Sequence, residues 1–249
     1  MPDPSPSSSS SSPAPNQIGP YRILDRLGAG GMGEVYVAEQ SEPVKRRVAL
    51  KLIKLGMDSR EVVTRFQQER QALALMAHDG IAKVYDVGTS ERGQPYFVME
   101  LVKGVPLDAY CDTHKLDLAQ RLALLQQVCA AVTHAHQKGV VHRDLKPGNV
   151  LVADEGGVPH AKVIDFGLAK AMGQKLTDAT LFTEVGRVVG TPEYMAPEQA
   201  DPTNADIDTR VDVYALGVML YQLLVGELPF PSERLRRGGL EGIQRVLRE

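Results

Sequence analysis

The feature of this sequence that most restricts its fold is a change of hydrophobic pattern close to residue 103. From Tyr21 to about Glu100, short apolar runs are separated by glycine, proline and charged clusters, which is typical of antiparallel hairpins. After KGVP at residues 103–106, helical spacing takes over. Because strands come first and helices follow, the sequence predicts an α+β fold with two lobes, a small antiparallel-sheet lobe and a larger helical lobe.

The small lobe is predicted to contain strands and one helix, which covers roughly residues 59–77. The predicted strands are YRILDRLG, GEVYVAEQ, RRVALKLIKL, IAKVYDVG and PYFVMEL. In the second half, one helix is predicted from a stripe that steps by four and three residues: Leu118, Leu122, Leu125, Cys129 and Val132. Another helix, VDVYALGVMLYQLLVG at 211–226, is apolar on all sides and is expected at the centre of the helical lobe.

Composition restricts partners and location. The net charge of −3 gives no indication of nucleic-acid or membrane binding. No membrane segment is predicted, since the apolar run at 211–226 is shorter than the roughly 20 residues of a span. The start, MPDPSPSSSSSSPAPNQ, lacks the pattern of a signal peptide and predicts disorder over residues 1–18. Cys111 and Cys129 fit no metal spacing, and Cys129 is expected to be a buried reduced thiol, which favours a reducing, cytoplasmic location.

The stretch VVHRDLKPGNVLV, residues 140–152, places many charged side chains between two apolar β-forming ends. Pro147 and Gly148 exclude a helix or an unbroken strand through its middle. Burying one unpaired charge costs several kcal/mol or more, so folding alone does not favour such a segment. The segment is therefore either a surface turn or a loop whose charges are held for chemistry.

Two polar residues interrupt apolar patterns in the small lobe. Glu69 lies on the apolar stripe of the predicted helix, and alternation along VALKLI places Lys51 on the same face as Ala49. Each observation alone is weak, because charged residues stray onto stripe edges and a lone strand lysine usually faces water at a sheet edge. If both side chains face inward, each neutralises the charge of the other.

Two further motifs are compatible with phosphate and metal binding. Gly28, Gly30 and Gly33 in LGAGGMGEVY are followed by a strand instead of a helix, which excludes a dinucleotide-binding fold and leaves a hairpin over phosphates or an ordinary hairpin turn. The apolar strand in AKVIDFGLAK runs into Asp165, which is either a turn former or, with the amide oxygen of Asn149, a Mg²⁺ ligand.

The motifs GAGGMGEV, VALK, HRDLKPGN, DFG and APE follow one another in the order and spacing of the protein kinase superfamily, which this chain resembles over residues 21–230. The resemblance implies a two-lobed kinase-like fold with a small lobe at 19–100, a hinge at 101–104 and a large lobe at 105–249. DLKP and GTPEYMAPEQ resemble serine/threonine kinases, and PEQA resembles bacterial eukaryotic-type (Hanks-type) members. The implied activity is transfer of the γ-phosphate of ATP to serine or threonine hydroxyls of protein substrates.

The resemblance also implies catalytic roles for matching residues. Asp144 would orient the acceptor hydroxyl and accept its proton, and Lys146 would contact the transferring phosphate. Asn149 and Asp165 would hold Mg²⁺. The backbone around Arg143 would be supported by a buried anchor, Asp212, which explains a carboxylate within an apolar helix.

For ATP, the resemblance implies that Lys51 binds the α- and β-phosphates while paired with Glu69. Val35, Ala49 and Leu151 would enclose the adenine ring. The other implied contacts are Leu27, the three glycines Gly28, Gly30 and Gly33, the gatekeeper Met99, and the backbone from Glu100 to Val102. A departure is Pro106, because relatives often carry an acidic residue there for the ribose.

The activation segment is predicted to be regulated by autophosphorylation. Thr177, Thr180 and Thr183 are the candidate acceptors, with Thr183 preferred because it is nearest Thr191, and Arg143 and Lys170 are the expected phosphate partners. The alternative is that these threonines are ordinary loop residues.

The C-terminal part motivates a competing hypothesis. The chain stops at Glu249, within or just after a predicted helix LEGIQRVLRE, so the last helices of the large lobe are expected to be absent. In relatives Glu198 forms a buried pair with an arginine in the late helices, so we expect a marginally stable chain, an exposed part of 211–226 and self-association. The alternative function is a catalytically poor fragment that serves as a nucleotide-binding or interaction module. A small-molecule phosphotransferase is disfavoured by the activation segment at 165–198.

Overall fold

The structure, a computed structural model, describes residues 15–30, 33–54, 76–166, 191–201, 207–236 and 239–248. The strands in these ranges are β1 (Gln17–Ile18), β2 (Tyr21–Gly30), β3 (Gly33–Gln40), β4 (Arg46–Ile53), β5 (Val84–Thr89), β6 (Pro95–Glu100), β7 (Val105–Pro106), β8 (Val150–Glu155) and β9 (Val158–Val163). The helices are α1 (Leu107–Thr113), α2 (Leu118–Gln137), α3 (Arg210–Val225), α4 (Ser232–Arg236) and α5 (Gly239–Arg248), with short 3₁₀ helices at Pro147–Asn149 and Pro192–Tyr194.

The small lobe is one antiparallel sheet with the strand order β1-β2-β3-β4-β6-β5. All predicted strands form, although the IAKVYDVG run enters the sheet only at Val84. Its first residue, Ile81, instead makes a parallel bridge to Val163 in β9 and so ties the small lobe to the second sheet. The predicted helix at 59–77 lies almost wholly outside the described residues, and residues 76–77 are not helical.

The side chains of the central strand β4 divide between two faces, as its alternation predicts, and both faces are buried. Val48, Leu50 and Leu52 belong to an apolar cluster on one side of the sheet. Ala49 and Ile53 belong to a different cluster, which continues into the helices of the large lobe. Because β4 lies between β3 and β6, a water-facing edge position for its lysine is excluded.

The second sheet, β7-β8-β9, begins directly after residues 101–104, which form neither strand nor helix. Helix α2 packs against this sheet and begins with a capping box, in which the Asp117 side chain accepts the N–H of Gln120 while the Gln120 side chain accepts the N–H of Asp117. The cap removes unsatisfied donors at the helix start and fixes where α2 begins.

The predicted stripe of α2 is partly wrong. Leu118 is 55% exposed and Cys129 is only half-buried. The buried residues are Leu124, Leu125, Val128, Ala131, Val132 and Ala135. The stripe is shifted because the alanines at 131 and 135 are fully buried, with Ala131 beside Gly80, and a pattern based on large apolar residues does not detect them.

Helix α3 is buried on one side only. Val211, Asp212, Ala215 and Met219 are buried, but Val213, Tyr221, Leu224 and Val225 are 43–60% exposed. The expectation that this helix is enclosed on all sides is therefore wrong for one face, while the expected exposure of part of 211–226 is observed. The predicted C-terminal helix is present as α5, with Ile243 and Val246 buried. None of the described helices has the length and hydropathy needed to cross a membrane.

Gly33 generates a prediction about stability. A Cβ atom at this position would overlap the backbone carbonyl oxygen of Leu52, whereas a Cβ at Gly28 would meet nothing within 4 Å. Because a backbone atom cannot rotate away, we expect Gly33→Ala to lower the free energy of unfolding by about 1–3 kcal/mol. Gly28→Ala is the matched control and should leave it nearly unchanged. Urea unfolding of both variants measures this, and equal midpoints would show that β3 and β4 do not approach as described.

Candidate active site

The loop at residues 140–149 is held in an unusual backbone conformation. Its ends, Val140 and Asn149, are buried, and between them Arg143 has a φ of 68°. A side-chain-bearing residue in this left-handed region is costly and persists only where surrounding contacts impose it. Contacts with other segments of the chain impose it, including helix α3 and the turn at residues 196–199.

The first of these contacts is the carboxylate of Asp212 in α3, which is 1% exposed. Its Oδ2 accepts the N–H of His142 at 2.8 Å, and its Oδ1 accepts the N–H of Arg143 at 2.8 Å. Nε2 of His136 in α2 also lies 2.8 Å from Oδ2. A single buried side chain thus joins two helices to the loop backbone.

These donors determine the charge state of Asp212. Burial by itself raises the pKa of this carboxyl, but the hydrogen bond from His136, the proximity of the His142 ring and the two backbone N–H groups outweigh it. The pKa of Asp212 therefore lies below its ordinary value, and the group is ionised at neutral pH.

His142 connects the loop to the end of β9. Its Nδ1 accepts the N–H of Asp144 at 3.3 Å, so the ring proton lies on Nε2, which donates to the carbonyl of Ile164 at 2.9 Å. The ring also meets Phe166 edge to face, with centroids 4.7 Å apart. The position of Asp144 is thereby coupled to the segment that carries Asp165.

Asp144, Lys146 and Asn149 form one cluster. The Lys146 Nζ lies 3.0 and 2.8 Å from the two carboxylate oxygens of Asp144. Asn149 donates through Nδ2 to the Asp144 carbonyl at 2.6 Å and to its Oδ2 at 3.1 Å, which turns the amide oxygen away from this contact. The Asp144 side chain remains 34% exposed, so an incoming hydroxyl group has access to it.

Lys51 and Asp165 form the second cluster, with 2.6 Å between Nζ and Oδ2. The side chains are 11% and 18% exposed, and Asp165 also has a left-handed φ, of 66°. The expected partner Glu69 lies outside the described residues. The Lys51–Glu69 pair therefore stays a prediction, and within the described residues Asp165 supplies an anion at contact distance from Lys51.

The clusters are adjacent because Ile164 donates its N–H to the carbonyl of Asn149 at 2.9 Å. Within the described residues no three His, Cys, Asp or Glu side chains form a metal site. Mg²⁺, however, needs few protein ligands and prefers oxygen. The Asp165 carboxylate and the Asn149 amide oxygen are a donor set that fits this ion.

Four of the predicted nucleotide contacts share one sheet face. Val35 lies directly opposite Lys51 and Ala49 directly opposite Met99, and residues opposite one another in antiparallel strands share a face. Leu151 is partly exposed in β8, and Leu27 is 55% exposed on β2. Gly28 and Gly30 have open space where a Cβ would lie, which leaves room for a ligand beside this hairpin.

Contacts near the hinge change the expected role of the Glu100 backbone in binding adenine. The N–H of Glu100 donates to the carbonyl of Lys83 at 2.8 Å, so this donor is not available to an adenine ring. The Glu100 side chain is paired with Lys162 at 2.6 Å. Val102 lies in the segment without regular structure, and Pro106 is paired with Leu151 in the second sheet.

Of the predicted activation-segment residues, Thr177, Thr180, Thr183 and Lys170 lie outside the described residues. Thr191 is half-buried and directly precedes the 3₁₀ helix Pro192–Tyr194. Glu198, expected to be buried, is only half-buried, whereas Glu193 is 5% exposed.

Sequence reasoning missed His136 and Gln199, which both contact the loop network. His136 and His134 stand two residues apart in α2, and no periodicity distinguishes them. Gln199 was used only as part of the PEQA motif. Its contact with the catalytic loop cannot be predicted from the sequence, because only the fold brings residues 143 and 199 together.

The Asp212 network gives a prediction with a defined pH dependence. Asp212→Asn should lower the free energy of unfolding by roughly 3–5 kcal/mol, because it leaves buried donors without their anion. Asp208→Asn is the matched control, since the carboxyl of Asp208 bonds to Arg210 near the surface. Chemical unfolding near neutral pH measures both, and equal losses would contradict the anchor role.

The sign of the pH effect follows from the lowered pKa. A carboxyl whose folded-state pKa is depressed stabilises the fold above its unfolded-state value of 3.8 and loses that effect as pH falls through the folded-state pKa. The difference between wild type and Asp212→Asn should therefore be constant from about pH 7 to about pH 5 and shrink in stronger acid.

Comparison with known proteins agrees with this geometry. The family model for Protein kinase domain matches residues 21–247. The chain is 44% identical over 220 residues to the serine/threonine-protein kinase Pkn1 of Myxococcus xanthus, covering 87% of this chain and 30% of that protein. It is 41% identical over 221 residues to the serine/threonine-protein kinase PknA of Mycobacterium tuberculosis, covering 86% of this chain and 49% of that protein.

The chain thus spans less than half the length of these relatives. Among solved structures, the Mycobacterium tuberculosis PknI kinase domain, as a double mutant, matches with a TM-score of 0.68 at 26% identity, covering 96% of this chain and 98% of that one. This likeness confirms the predicted kinase-like fold. Because the family model extends over most of the sequence, the chain belongs to the protein kinase domain family.

Proposed function

We propose that this chain is a serine/threonine protein kinase domain, spanning residues 19–249, that transfers the γ-phosphate of ATP to hydroxyl groups of proteins. The observation that carries the proposal is the convergence of the Asp144–Lys146–Asn149 cluster with the Lys51–Asp165 pair. Phosphoryl transfer depends on positioning and on charge stabilisation more than on covalent chemistry, and these clusters supply both.

In this proposal, Asp144 orients the acceptor hydroxyl and accepts its proton. The exposed edge of its carboxylate suits that role, while Lys146 at 2.8 Å holds its orientation and adds positive charge near the transferred group. Asn149 donates a hydrogen bond to this carboxylate, and His142 accepts the backbone N–H of Asp144. Each of these contacts restricts Asp144 before any substrate binds.

The nucleotide is assigned to the sheet face that carries Val35, Ala49 and Met99. Lys51 would contact the phosphates, and Asp165 and Asn149 would hold Mg²⁺, which supplies charge neutralisation on phosphate oxygens when bound. A phosphate group next to Lys51 would share this cation with Asp165. The open space at Gly28 and Gly30 supports the assignment of the phosphates to this side of the hairpin.

Serine and threonine are the proposed acceptors because DLKP and the GTPEYMAPEQ segment resemble serine/threonine kinases, and because the relatives named above carry that description. Protein substrates, action in the cytoplasm and self-association belong to the same proposal. The alternative, a catalytically poor module that only binds nucleotide or a partner, is not favoured, since the residues of both clusters are present and in contact.

The role of Lys51 is tested by Lys51→Met. With [γ-³²P]ATP and a generic protein substrate, we expect phosphotransfer to fall by at least about a hundredfold, because the phosphates lose their cation. Lys54→Met, at an exposed position just after the same strand, is the matched control and should keep wild-type activity. Circular dichroism checks that both variants fold. Near-wild-type turnover in Lys51→Met would remove this residue from the mechanism.

Autophosphorylation of the activation segment is tested by mass spectrometry after incubation with Mg-ATP. We expect a phosphate on Thr177, Thr180 or Thr183, with Thr183 preferred, because a group of about −1.5 to −2 charge can pair with Arg143 next to the catalytic Asp144. Asp144→Asn should remain unmodified under the same conditions. An active wild type without a modified threonine between 177 and 183 would exclude this mode of regulation.

A further inference from the structure

We propose that Gln199 is a positioning residue that fixes the peptide unit immediately before Asp144 and couples it to the end of the activation segment. The inference rests on the proposed function, because Asp144 is there the residue that orients the acceptor hydroxyl. It is carried by the two hydrogen bonds of the Gln199 side chain, which the mechanism above does not use.

The Gln199 side chain bonds at both ends of its amide. Its Nε2 donates to the backbone carbonyl of Arg143 at 2.8 Å. Its Oε1 accepts the N–H of Ala196, three residues earlier, at 3.1 Å. One bond is local to the 196–199 turn, and the other crosses to the catalytic loop, 56 residues away in sequence.

The crossing bond acts where the loop is strained. Arg143 has a φ of 68°, and the peptide unit between Arg143 and Asp144 is held at both ends. Its carbonyl accepts from Gln199 at 2.8 Å, and its N–H, which belongs to Asp144, donates to Nδ1 of His142 at 3.3 Å. The preceding peptide unit is held by Asp212 through the N–H of Arg143.

Asp144 is held by contacts with three different parts of the fold. Asp212 holds the loop from helix α3, and His142 holds it from the end of β9. Gln199 links the loop by a hydrogen bond to residues 196–200. A shift of the activation segment would therefore rotate the carbonyl of Arg143 and, through the shared peptide plane, the Cα of Asp144. Small displacements of a catalytic group of this kind lower the rate without affecting nucleotide binding.

The chain contains a matched control for this contact. Gln127 in α2 makes the same pair of bonds, donating through Nε2 to the carbonyl of Pro159 at 3.2 Å and accepting the N–H of Ala161 at 2.8 Å. It joins α2 to β9 and touches none of the catalytic residues named above. Loss of its amide removes equivalent hydrogen bonds from a structural position.

The experiment compares Gln199→Met, Gln199→Glu and Gln127→Met in steady-state phosphorylation of a protein substrate. We expect Gln199→Met to lower kcat by about tenfold or more while KM for ATP changes by less than about twofold. Gln199→Glu keeps an acceptor for Ala196 but turns a carboxylate oxygen toward the carbonyl of Arg143, so its kcat should fall at least as far. Gln127→Met should keep wild-type kcat.

Two kinetic results would contradict the inference. Wild-type kcat in Gln199→Glu would show that Gln199 only stabilises its own turn, and equal losses in Gln199→Met and Gln127→Met would indicate a general effect on stability. If the wild type transfers no phosphate, the proposed function fails separately. In that case, hydrogen exchange at the Asp144 amide tests the role of Gln199 without phosphotransfer. Gln199→Met should accelerate this exchange about tenfold, and Gln127→Met should not. Unchanged exchange in Gln199→Met would overturn the inference.

Discussion

The rest of the active site depends on one buried carboxylate. Asp212 is 1% exposed, and an isolated charge at such a position would cost several kcal/mol. It is stable there because two backbone N–H groups and the His136 ring surround it, each at 2.8 Å. Charge-assisted hydrogen bonds of this length are roughly twice as strong as neutral ones, and here they constrain the catalytic loop from inside the protein.

Backbone strain in this protein coincides with the active site. Arg143 and Asp165 both adopt left-handed backbone conformations, and each lies at one of the two clusters that form the site. Ordinary sequence preferences place glycine, asparagine or aspartate there, so Arg143 is the less usual residue of the two. The arrangement persists because Asp212, His142 and Gln199 hold the first position, and the contact with Lys51 holds the side chain of the second.

The sequence predicted the fold where the pattern of large side chains is strong. Alternation along β4 separates its two buried faces correctly, and the motif order predicts the kinase-like fold. Prediction fails where packing depends on small residues, as at Ala131 and Ala135 in α2. It also fails where partners are distant in sequence: Lys51 meets Asp165, 114 residues away, and no local pattern indicates that contact.

Native-state hydrogen exchange of the His142 and Arg143 amides tests most directly whether Asp212 holds this backbone in place. We expect both amides to exchange about as slowly as amides that open only on global unfolding, and Asp212→Asn to accelerate them selectively. Exchange at the rate of an exposed loop in the wild-type protein would show that Asp212 does not hold this backbone.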